Sequence, residues 1–577
     1  MWPFIRAYPL RYWGWYSIGL ITLVITTVVT TWIPLTVQHI IDAIHSNATW
    51  IALRPLVLNL IGLAILLAIF RTLSRILIFT PGRYVEYDLR RDLHAHLLTL
   101  PPSFFRTHTI GDTMSRVIND IQALRLMSAF GLLHIANTSL IYGFVITQMA
   151  AINGPLTLWV MIPVPFALIM IQLFVKKLYQ FTKESQERLG HITDFFVESI
   201  ANMSVIKSFN AESPLMADMA GHNVAYRDTQ LSLARIRSSM FPFIATIGAF
   251  GQVILLYKGG QLVVSSELTI GELVAFSNYL VLLAWPTAAF SWIISIVQRG
   301  MASLHRINDI LNTPSPSQAP YTARFAGNAP PDIRLTNLSF SYPHQSQPAL
   351  RAISLHIQPG QRIGIFGPTG SGKSTLAHLL AHIEPAPKGT LWFDGIDTRD
   401  YAITSLRQHI AMVPQRRFLF STTIQDTILF ADPSAPLSVA ETAAKKACVY
   451  DDIMQFPQQW GTLVGEKGIM VSGGQQHRLA LARAYASDYQ LLILDDVLSS
   501  VDHDTEARMI QALNASATHA TVVIISHRVS ALKNCDWIIV LDAGQITHQG
   551  THDTLLASDN SYKTTWHYQQ METDLLA

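Results

Sequence analysis

Six apolar segments in the first 310 residues constrain the fold of this chain more than any other feature. They cover roughly residues 14–41, 52–80, 127–150, 155–175, 240–263 and 270–297, and each is near or above the length that a helix needs to cross a bilayer. Half of the 577 residues are hydrophobic and only 14% are charged, which is too apolar for an ordinary soluble protein. The sequence therefore predicts an all-α transmembrane domain of six helices over residues 1–311.

The distribution of Lys and Arg around these spans predicts which loops face the cytoplasm. Arg6 and Arg11 precede the first span, and the two long segments between spans, 81–126 and 176–239, carry many basic residues. The short loops that contain no Lys or Arg are 42–51, 151–154 and 264–269. Because basic loops stay on the cytoplasmic side, we expect both termini and both long segments to be cytoplasmic.

The C-terminal part of the chain has the pattern of an α/β nucleotide-binding domain. Residues 312–332 are rich in Pro, Ala and Ser and predict a linker, which leaves 333–577 as the second domain. Within it, the apolar run 361–366 is followed by a glycine-rich loop and then by helical periodicity. This strand–loop–helix context is the one in which the pattern G-x-x-x-x-G-K-S/T binds nucleotide phosphates.

The glycine-rich loop supplies the first group of predicted site residues. Its backbone amides and the N-terminus of the following helix offer positive potential to phosphate oxygens. We expect Lys373 to reach the β- and γ-phosphates of ATP and the Ser374 hydroxyl to bind Mg2+. The predicted cofactor-binding residues of this loop are Gly367, Pro368, Thr369, Gly370, Ser371, Gly372, Lys373, Ser374 and Thr375.

Two further segments predict metal and anion chemistry. Four aliphatic residues, 491–494, form a second predicted buried strand, and the carboxylate that follows them, Asp495, is placed to bind Mg2+. Ser472 is predicted to cap the next helix, with Gly473 and Gly474 leaving bare amides at its start. From the residues alone, this helix is either a second anion site or an ordinary capped helix.

The order of these segments resembles one large family, the ATP-binding cassette (ABC) proteins. The pattern Ser472-Gly-Gly-Gln475 lies between the phosphate loop and the acidic strand, where that family carries its signature. The resemblance implies that Ser472, Gly473, Gly474 and Gln475 bind the γ-phosphate of an ATP held by the opposite nucleotide domain. Two chains facing head to tail would then enclose two ATP molecules, so the chain is expected to be an ATPase that works as half of a dimer.

The resemblance also implies roles for individual residues. Tyr342 matches the aromatic residue that stacks on adenine, Gln415 matches the residue that links Mg2+ and the attacking water to the membrane part, and His527 matches the switch histidine on the γ-phosphate. Residues 465–468 resemble the segment that touches the partner's membrane loops, and residues 499–502 resemble the loop that crosses the dimer interface.

One residue departs from the family pattern. After the aspartate that binds Mg2+, the family usually has a glutamate that orients the attacking water as general base, and this chain has Asp496. Asp is one methylene shorter, and a displacement of about 1 Å can cost on the order of a hundredfold in rate. The alternative is that Asp496 works through a backbone shift or an extra water. In this family such a change is familiar in heterodimeric exporters with one weak and one strong ATP site, so a heterodimer is expected and a homodimer is the alternative.

Membrane and nucleotide parts fused in this order resemble ABC exporters whose halves share swapped helices. Residues 104–120 and 206–212 resemble the coupling regions through which their membrane helices contact the nucleotide domains. More closely, residues 108–112 and 465–468 look like those of the bacterial multidrug-resistance-like half-transporters. This resemblance implies ATP-driven export of hydrophobic or amphipathic small molecules across the bacterial inner membrane.

Two other functions stay open at this point. A lipid flippase would be favoured by a ring of basic residues at the cavity entrance, to which Arg71 and Arg75 would belong. These two arginines lie one turn apart near the inner end of the second span, and they serve either substrate passage or structural ion pairing. A regulatory, weakly hydrolysing subunit is supported by Asp496. The net charge of +2 suggests no nucleic-acid partner, and the spans exclude a soluble ABC ATPase of translation or repair.

Overall fold

The chain divides into two units in the computed structural model, which describes residues 2–315, 321, 323–342, 347–415, 418–465, 471–497, 508–511 and 520–576. The first unit comprises residues 1–97 and 111–312, and the second comprises 98–110 and 313–577. The short segment 98–110 therefore belongs to the unit that contains the phosphate loop, although it lies inside the sequence range 1–311 predicted for the membrane domain.

Long helices build the first unit, and a short one, α4, lies in the second. The helices up to residue 311 are α1 (Trp2–Ala7), α2 (Trp13–His45), α3 (Trp50–Leu97), α4 (Pro102–Thr107), α5 (Ile110–Ser115), α6 (Ile121–Arg125), α7 (Leu132–Met161), α8 (Pro163–Ala201), α9 (Met203–Ser208), α10 (Glu212–Ile254), α11 (Gly260–Val264) and α12 (Ile270–Leu311). A 3₁₀ turn precedes α2 at Pro9–Tyr12, and π-helical turns lie at Arg116–Asp120, Leu126–Gly131 and Leu255–Gly259.

Five helical segments among the described residues are long and apolar enough to cross a membrane. They are Pro9–His45, Trp50–Leu97, Ile110–Met161, Pro163–Ala201 and Ile270–Leu311. The predicted span 240–263 lies in the helical run 212–264, which is not one of these five. This span therefore stays a prediction.

A sharp break separates the third and fourth predicted spans inside α7. Asn153 has extended backbone angles, φ −156° and ψ 106°, so two helices meet there. The Asn153 side-chain oxygen accepts a hydrogen bond from the Leu156 backbone amide at 2.9 Å, which satisfies a free donor at the start of the second helix. Pro155 follows at a position where a helix needs no amide donor. The break lies within the loop predicted at 151–154.

Close contacts tie α2 to its neighbours in the first unit. A Cβ added at Gly19 would lie 2.6 Å from Ile78 Cγ1, so only a glycine lets α2 approach α3 this closely. At the other end of α2, the Asp42 carboxylate accepts hydrogen bonds from the Thr269 hydroxyl at 3.0 Å and the Gly271 amide at 2.9 Å. A carboxylate at a helix N-terminus is favourable, so Asp42 fixes the start of α12.

A buried ion pair joins the π-turn before α6 to the end of α12. Asp120 is 6% exposed and accepts hydrogen bonds from Arg306 Nε and from the Ser303 hydroxyl, both at 2.8 Å. Because a buried carboxylate needs a partner, these bonds are what permit Asp120 to lie inside the helix packing.

The second unit contains two β-sheets. Its strands are β1 (Ile333–Phe340), β2 (Leu350–Ile357), β3 (Arg362–Phe366), β4 (Leu391–Phe393), β5 (Ile396–Asp397), β6 (Ile410–Val413), β7 (Leu491–Asp495), β8 (Thr521–Ile525), β9 (Trp537–Asp542) and β10 (Gln545–Gly550). The first sheet is antiparallel, in the order β2-β1-β4-β5, and the second has the order β10-β9-β3-β8-β7-β6. In the second sheet all neighbours are parallel except β10 and β9.

Helices cover both faces of the six-stranded sheet. They are α13 (Lys373–Leu380), α14 (Ile403–Arg407), α15 (Ile424–Ile428), α16 (Leu437–Lys446), α17 (Tyr450–Gln455), α18 (Gly473–Tyr485), α19 (His552–Ala557) and α20 (Ser561–Leu576).

The strand β7, which lies between β8 and β6, shows why the parallel strands are mostly apolar. Leu491 and Ile493 pack in one core cluster with α13, whereas Leu492 and Leu494 pack in the other with α18. Since successive side chains of a strand point to opposite faces, a strand buried on both faces has no polar position. The parallel strands consequently end in polar residues at one common edge, where the site lies.

Candidate active site

The phosphate loop lies at the carboxyl end of β3 and leads into α13. Gly372, the residue before α13, has φ +100°, and a Cβ at that position would lie 2.6 Å from the Ala349 carbonyl oxygen. Both the backbone angle and the close approach require glycine at this position. The loop therefore turns tightly enough to aim its amides and the start of α13 at one point.

The Lys373 ammonium lies within this loop. It donates hydrogen bonds to the carbonyl oxygens of Gly367 and Pro368, each at 2.7 Å. Burial lowers the pKa of Lys373, and the nearby carboxylates of Asp496 and Asp495 oppose this shift. A cation held at the loop in this way is placed to neutralise phosphate oxygens.

Asp495 lies at the carboxyl end of β7 and is 3% exposed. Burial raises its pKa, while a hydrogen bond with Ser374 and the charges of His378 and Lys373 oppose the rise. The Ser374 hydroxyl, the Asp495 carboxylate and the nearby Gln415 amide form a set of oxygen donors at one pocket. Oxygen donors with one or two carboxylates are what Mg2+ prefers beside substrate phosphates, so these residues fit the ion.

Asp496 and His527 meet at the same edge of the sheet. Asp496 Oδ1 lies 3.0 Å from His527 Nδ1, and the Asp496 amide donates to the Ile525 carbonyl at 2.9 Å. Asp496 has φ +56°, a left-handed conformation that Asp tolerates better than most residues. The two residues follow the adjacent parallel strands β7 and β8, which explains why residues distant in sequence are neighbours here.

These residues surround one pocket of about 320 Å³. Of the predicted site residues, the structure places at its walls Tyr342, Thr369, Gly370, Gly372, Lys373, Ser374, Thr375, Gln415, Asp495, Asp496 and His527. Gly367, Pro368 and Ser371 belong to the same loop without lining the pocket, and Ala349 is a lining residue that the sequence did not indicate.

The predicted signature segment lies away from this pocket in the same chain. Ser472, Gly473, Gly474 and Gln475 are absent from the pocket lining. Ser472 caps α18: its hydroxyl accepts from the Gln475 amide at 3.2 Å, and Gln475 Oε1 accepts from the Ser472 amide at 3.0 Å. This reciprocal capping box confirms that Ser472 caps the helix.

Sequence reasoning missed one side chain beside the site. Arg106 in α4 places its guanidinium 4.2 Å from the ring centroid of Tyr342. The same guanidinium forms an ion pair with Glu384, whose Oε1 atom lies 2.9 Å away and accepts no hydrogen bond from the described residues. Glu384 is 2% exposed. The Tyr342 hydroxyl donates to Thr375 Oγ1 at 3.2 Å. Residues 104–120 resemble a coupling region of ABC exporters, but no pattern in the sequence linked Arg106 to Tyr342.

Two predicted segments lie wholly or partly outside the described residues. Gly465 is described and residues 466–468 are not, and the predicted interface loop 499–502 lies entirely outside. The second predicted coupling stretch, 206–212, spans the end of α9 and the start of α10.

Comparison with known proteins agrees with this architecture. Residues 16–287 match the family model described as ABC transporter transmembrane region, and residues 350–499 match the family model described as ABC transporter. The chain is 32% identical to the probable multidrug resistance ABC transporter ATP-binding/permease protein YheI of Bacillus subtilis, over 99% of this chain and 97% of that protein. It is also 32% identical to the multidrug resistance-like ATP-binding protein MdlA of Escherichia coli, over 98% and 96% of the two chains.

A solved structure shares the fold over nearly the whole length. It is that of a bacterial Atm1-family ABC exporter with ATP bound, with a TM-score of 0.81 and 26% identity, and the match covers 96% of this chain and 98% of the other. These similarities confirm the predicted family and the predicted fold class, a helical transmembrane domain followed by an α/β nucleotide-binding domain.

Proposed function

The chain belongs to the ABC transporter family, and from this premise we propose that it is one half of a heterodimeric exporter in the bacterial inner membrane. Its cargo would be hydrophobic or amphipathic small molecules. The relatives named as multidrug transporters and the exporter fold support ATP-driven export by a multi-pass membrane protein. The proposed domain borders are 1–311, 312–332 and 333–577, with the nucleotide domain and both termini in the cytoplasm.

The observation that carries the heterodimer is the combination of Asp496 with an otherwise complete set of site residues. Lys373 and His527 are present at the pocket, and Ser472 caps an intact signature helix. In this proposal the ATP site with Lys373 and Asp496 is the weak one. The segment Ser472–Gln475 completes the strong site of a sister chain, which supplies the glutamate that this chain lacks.

Each predicted residue has a role in this proposal. Ser374, Gln415 and Asp495 would hold Mg2+, which neutralises charge on the phosphate oxygens when bound. Lys373 binds the β- and γ-phosphates, Tyr342 stacks on adenine, and His527 contacts the γ-phosphate. Asp496 accepts the proton of the attacking water more slowly than a longer side chain would.

Reconstitution tests the proposal. The full-length chain alone in lipid vesicles should hydrolyse ATP slowly. Co-expression with a sister half-transporter from the same genome should yield a stable complex with fast ATP turnover. Inside-out vesicles that contain this complex should take up an amphipathic dye when ATP is added. The complex whose sister chain carries the Lys-to-Ala change in its phosphate loop is the control. Fast ATP turnover and dye uptake by the chain alone would contradict the heterodimer and show that the chain works as a homodimer.

A second candidate, a regulatory subunit that hydrolyses little ATP and gates its partner, is favoured by the same Asp496. Lys373→Ala in this chain of the complex separates the two. Loss of dye uptake means that ATP at this site takes part in each transport cycle. Unchanged maximal uptake, with altered dependence on ATP concentration, means that the site is regulatory.

A further inference from the structure

A second pocket, of about 280 Å³, lies within the first unit among helices α2, α3, α7 and α12. Its polar lining comprises Arg71, Arg75, His134 and Asn137 together with the hydroxyls of Thr26, Thr27, Thr30 and Ser74. Large apolar side chains also line the pocket, and these include Leu133, Ile141, Val281, Leu282 and Trp285. The pocket thus combines two cationic side chains with large apolar side chains in the membrane-spanning region.

No carboxylate balances the two arginines among the described lining residues. The four stretches that line the pocket, 23–30, 71–75, 133–141 and 281–286, contain no Asp or Glu at all. Along α3 the first acidic residue after Arg75 is Glu86, about 16 Å further along the helix axis at 1.5 Å per residue. The pocket therefore carries a net positive charge from its own helices.

The guanidinium groups have no partner in the part of the chain that the structure describes. Neither Arg71 nor Arg75 makes a side-chain hydrogen bond or an ion pair there, and both side chains are exposed in the single chain. The hydroxyls of Thr26, Thr27 and Thr30 each donate to a carbonyl of their own helix, at 2.7, 2.9 and 2.7 Å. The threonine hydroxyls are thus satisfied within their own helix, whereas the guanidinium donors are not.

Such an arrangement is costly without a ligand. Two like charges one helical turn apart repel each other, and charged side chains within a membrane span are costly unless they are paired or face a polar cavity. A guanidinium offers several N–H donors in a planar fork that matches carboxylate and phosphate oxygens. An anionic group between Arg71 and Arg75 would remove both the repulsion and the unmet donors.

We propose that this pocket binds the anionic head group of an amphiphile, a phosphate or a carboxylate, at Arg71 and Arg75, with the apolar tail against Leu133 and Trp285. This inference rests on the proposed export function and narrows its cargo to anionic amphiphiles, in place of neutral or cationic hydrophobic compounds. Asn137 adds a neutral donor beside the two charges.

Binding to the full-length chain tests the site without ATP. In nanodiscs of phosphatidylcholine, titration calorimetry with dodecyl phosphate should give saturable binding, with empty nanodiscs as the blank. Dodecyltrimethylammonium, which has the same tail and the opposite charge, should bind more weakly. The double variant Arg71→Gln/Arg75→Gln should weaken dodecyl phosphate binding at least about tenfold, because each lost charged hydrogen bond is worth about a factor of ten or more.

A matched variant controls for total charge. Arg54→Gln/Lys258→Gln also removes two cations from the first unit, at positions outside the pocket lining, and should leave dodecyl phosphate binding unchanged. If the double variant in the pocket does not fold, the two single variants are measured instead and should each weaken binding. Equal effects of the pocket and control variants would overturn the proposal, as would loss of dimer assembly in the pocket variants with unchanged anion affinity, which assigns the arginines to a partner's carboxylate.

Two further measurements identify the source of the anion and distinguish failure of the site from failure of the export function. Nanodiscs that contain anionic phosphatidylglycerol should either abolish dodecyl phosphate binding, which identifies a lipid head group as the ligand, or leave it intact, which identifies a small amphiphile. Arginine-dependent binding without ATP-dependent uptake supports the site and contradicts export of this cargo. Export of a neutral dye with no arginine-dependent anion binding supports export and contradicts the site.

Discussion

The carboxylate of Asp496 lies 3.0 Å from the Nδ1 atom of His527, at the carboxyl ends of two adjacent parallel strands. The residue expected to activate water and the residue expected to contact the γ-phosphate are therefore in direct contact. The Asp496 side chain is one methylene shorter than the glutamate usual in the family, and its carboxylate is engaged with the histidine. The length of the side chain at position 496 is therefore the first property to change by mutation.

Asp496→Glu should raise the ATP turnover of the full-length chain in lipid by about tenfold to a hundredfold, because a displacement of about 1 Å costs that much in a catalytic group. The measurement is steady-state phosphate release, with Lys373→Ala as the inactive control. The left-handed backbone at position 496 suits Asp better than Glu, so the thermal unfolding temperature is recorded for each variant. Turnover that stays at the wild-type rate in a folded variant would show that Asp496 is already a competent base.

The ion pair between Arg106 and Glu384 should stabilise the segment 98–110 within the second unit. Burial raises the pKa of Glu384 and Arg106 opposes this rise, so Arg106→Ala leaves a buried carboxylate without its cation. Because Arg106 itself is 40% exposed, we expect a coupling of about 1 kcal/mol rather than the value for a fully buried pair.

A double-mutant cycle with Arg106→Ala, Glu384→Gln and both together, followed by thermal unfolding and limited proteolysis of 98–110, measures this coupling. The double variant should be more stable than the sum of the single losses implies. Strict additivity would mean that the pair contributes nothing.

The two ends of the Asp120–Arg306 pair should respond unequally to substitution. Arg306→Gln leaves the buried Asp120 carboxylate with the hydrogen bond from the Ser303 hydroxyl, whereas Asp120→Asn leaves a guanidinium that is 46% exposed and that water can solvate. We expect Arg306→Gln to lower the free energy of unfolding by about 2 kcal/mol and Asp120→Asn by about 1 kcal/mol. Denaturant unfolding of the full chain in detergent gives both values, and the reverse order would contradict this account.

His382 should make the stability of the second unit depend on pH. It is 6% exposed, and burial, with the charges of Arg407 and Arg399, lowers its pKa to about 4. The folded state therefore binds fewer protons than the unfolded state between pH 6.5 and about 4, so stability is full above pH 6.5 and falls as the pH drops through this window. At pH 5 the loss should be up to about 2 kcal/mol.

His382→Asn removes the titrating group and keeps a residue that tolerates the φ of +51° found there. The difference in thermal unfolding temperature between this variant and the wild type should shift in favour of the variant as the pH falls from 7 to 5. His548→Asn, at an exposed position, is the control. A pH-independent difference for His382→Asn would refute the assignment.

Much of the architecture follows from local sequence patterns. Length and hydropathy of a segment decide whether it can cross a bilayer, and no distant residue changes that. The run 491–495 is a buried strand because every residue in it is apolar until Asp495, and Gly372 is required by a backbone angle that the loop pattern already implies. For the same reason the local sequence is sufficient to identify Ser472 as a helix cap.

The tertiary structure decided which of these residues meet. Parallel strands that are far apart in sequence end at one edge, so Gln415, Asp495 and His527 line one pocket with the phosphate loop, while Ser472 does not. Arg106 reaches the ring of Tyr342, and Arg71 and Arg75 share a pocket with α2, α7 and α12. Local periodicity reports how a segment buries its own side chains, but a contact between distant segments depends on how the helices and strands pack, which no short pattern encodes.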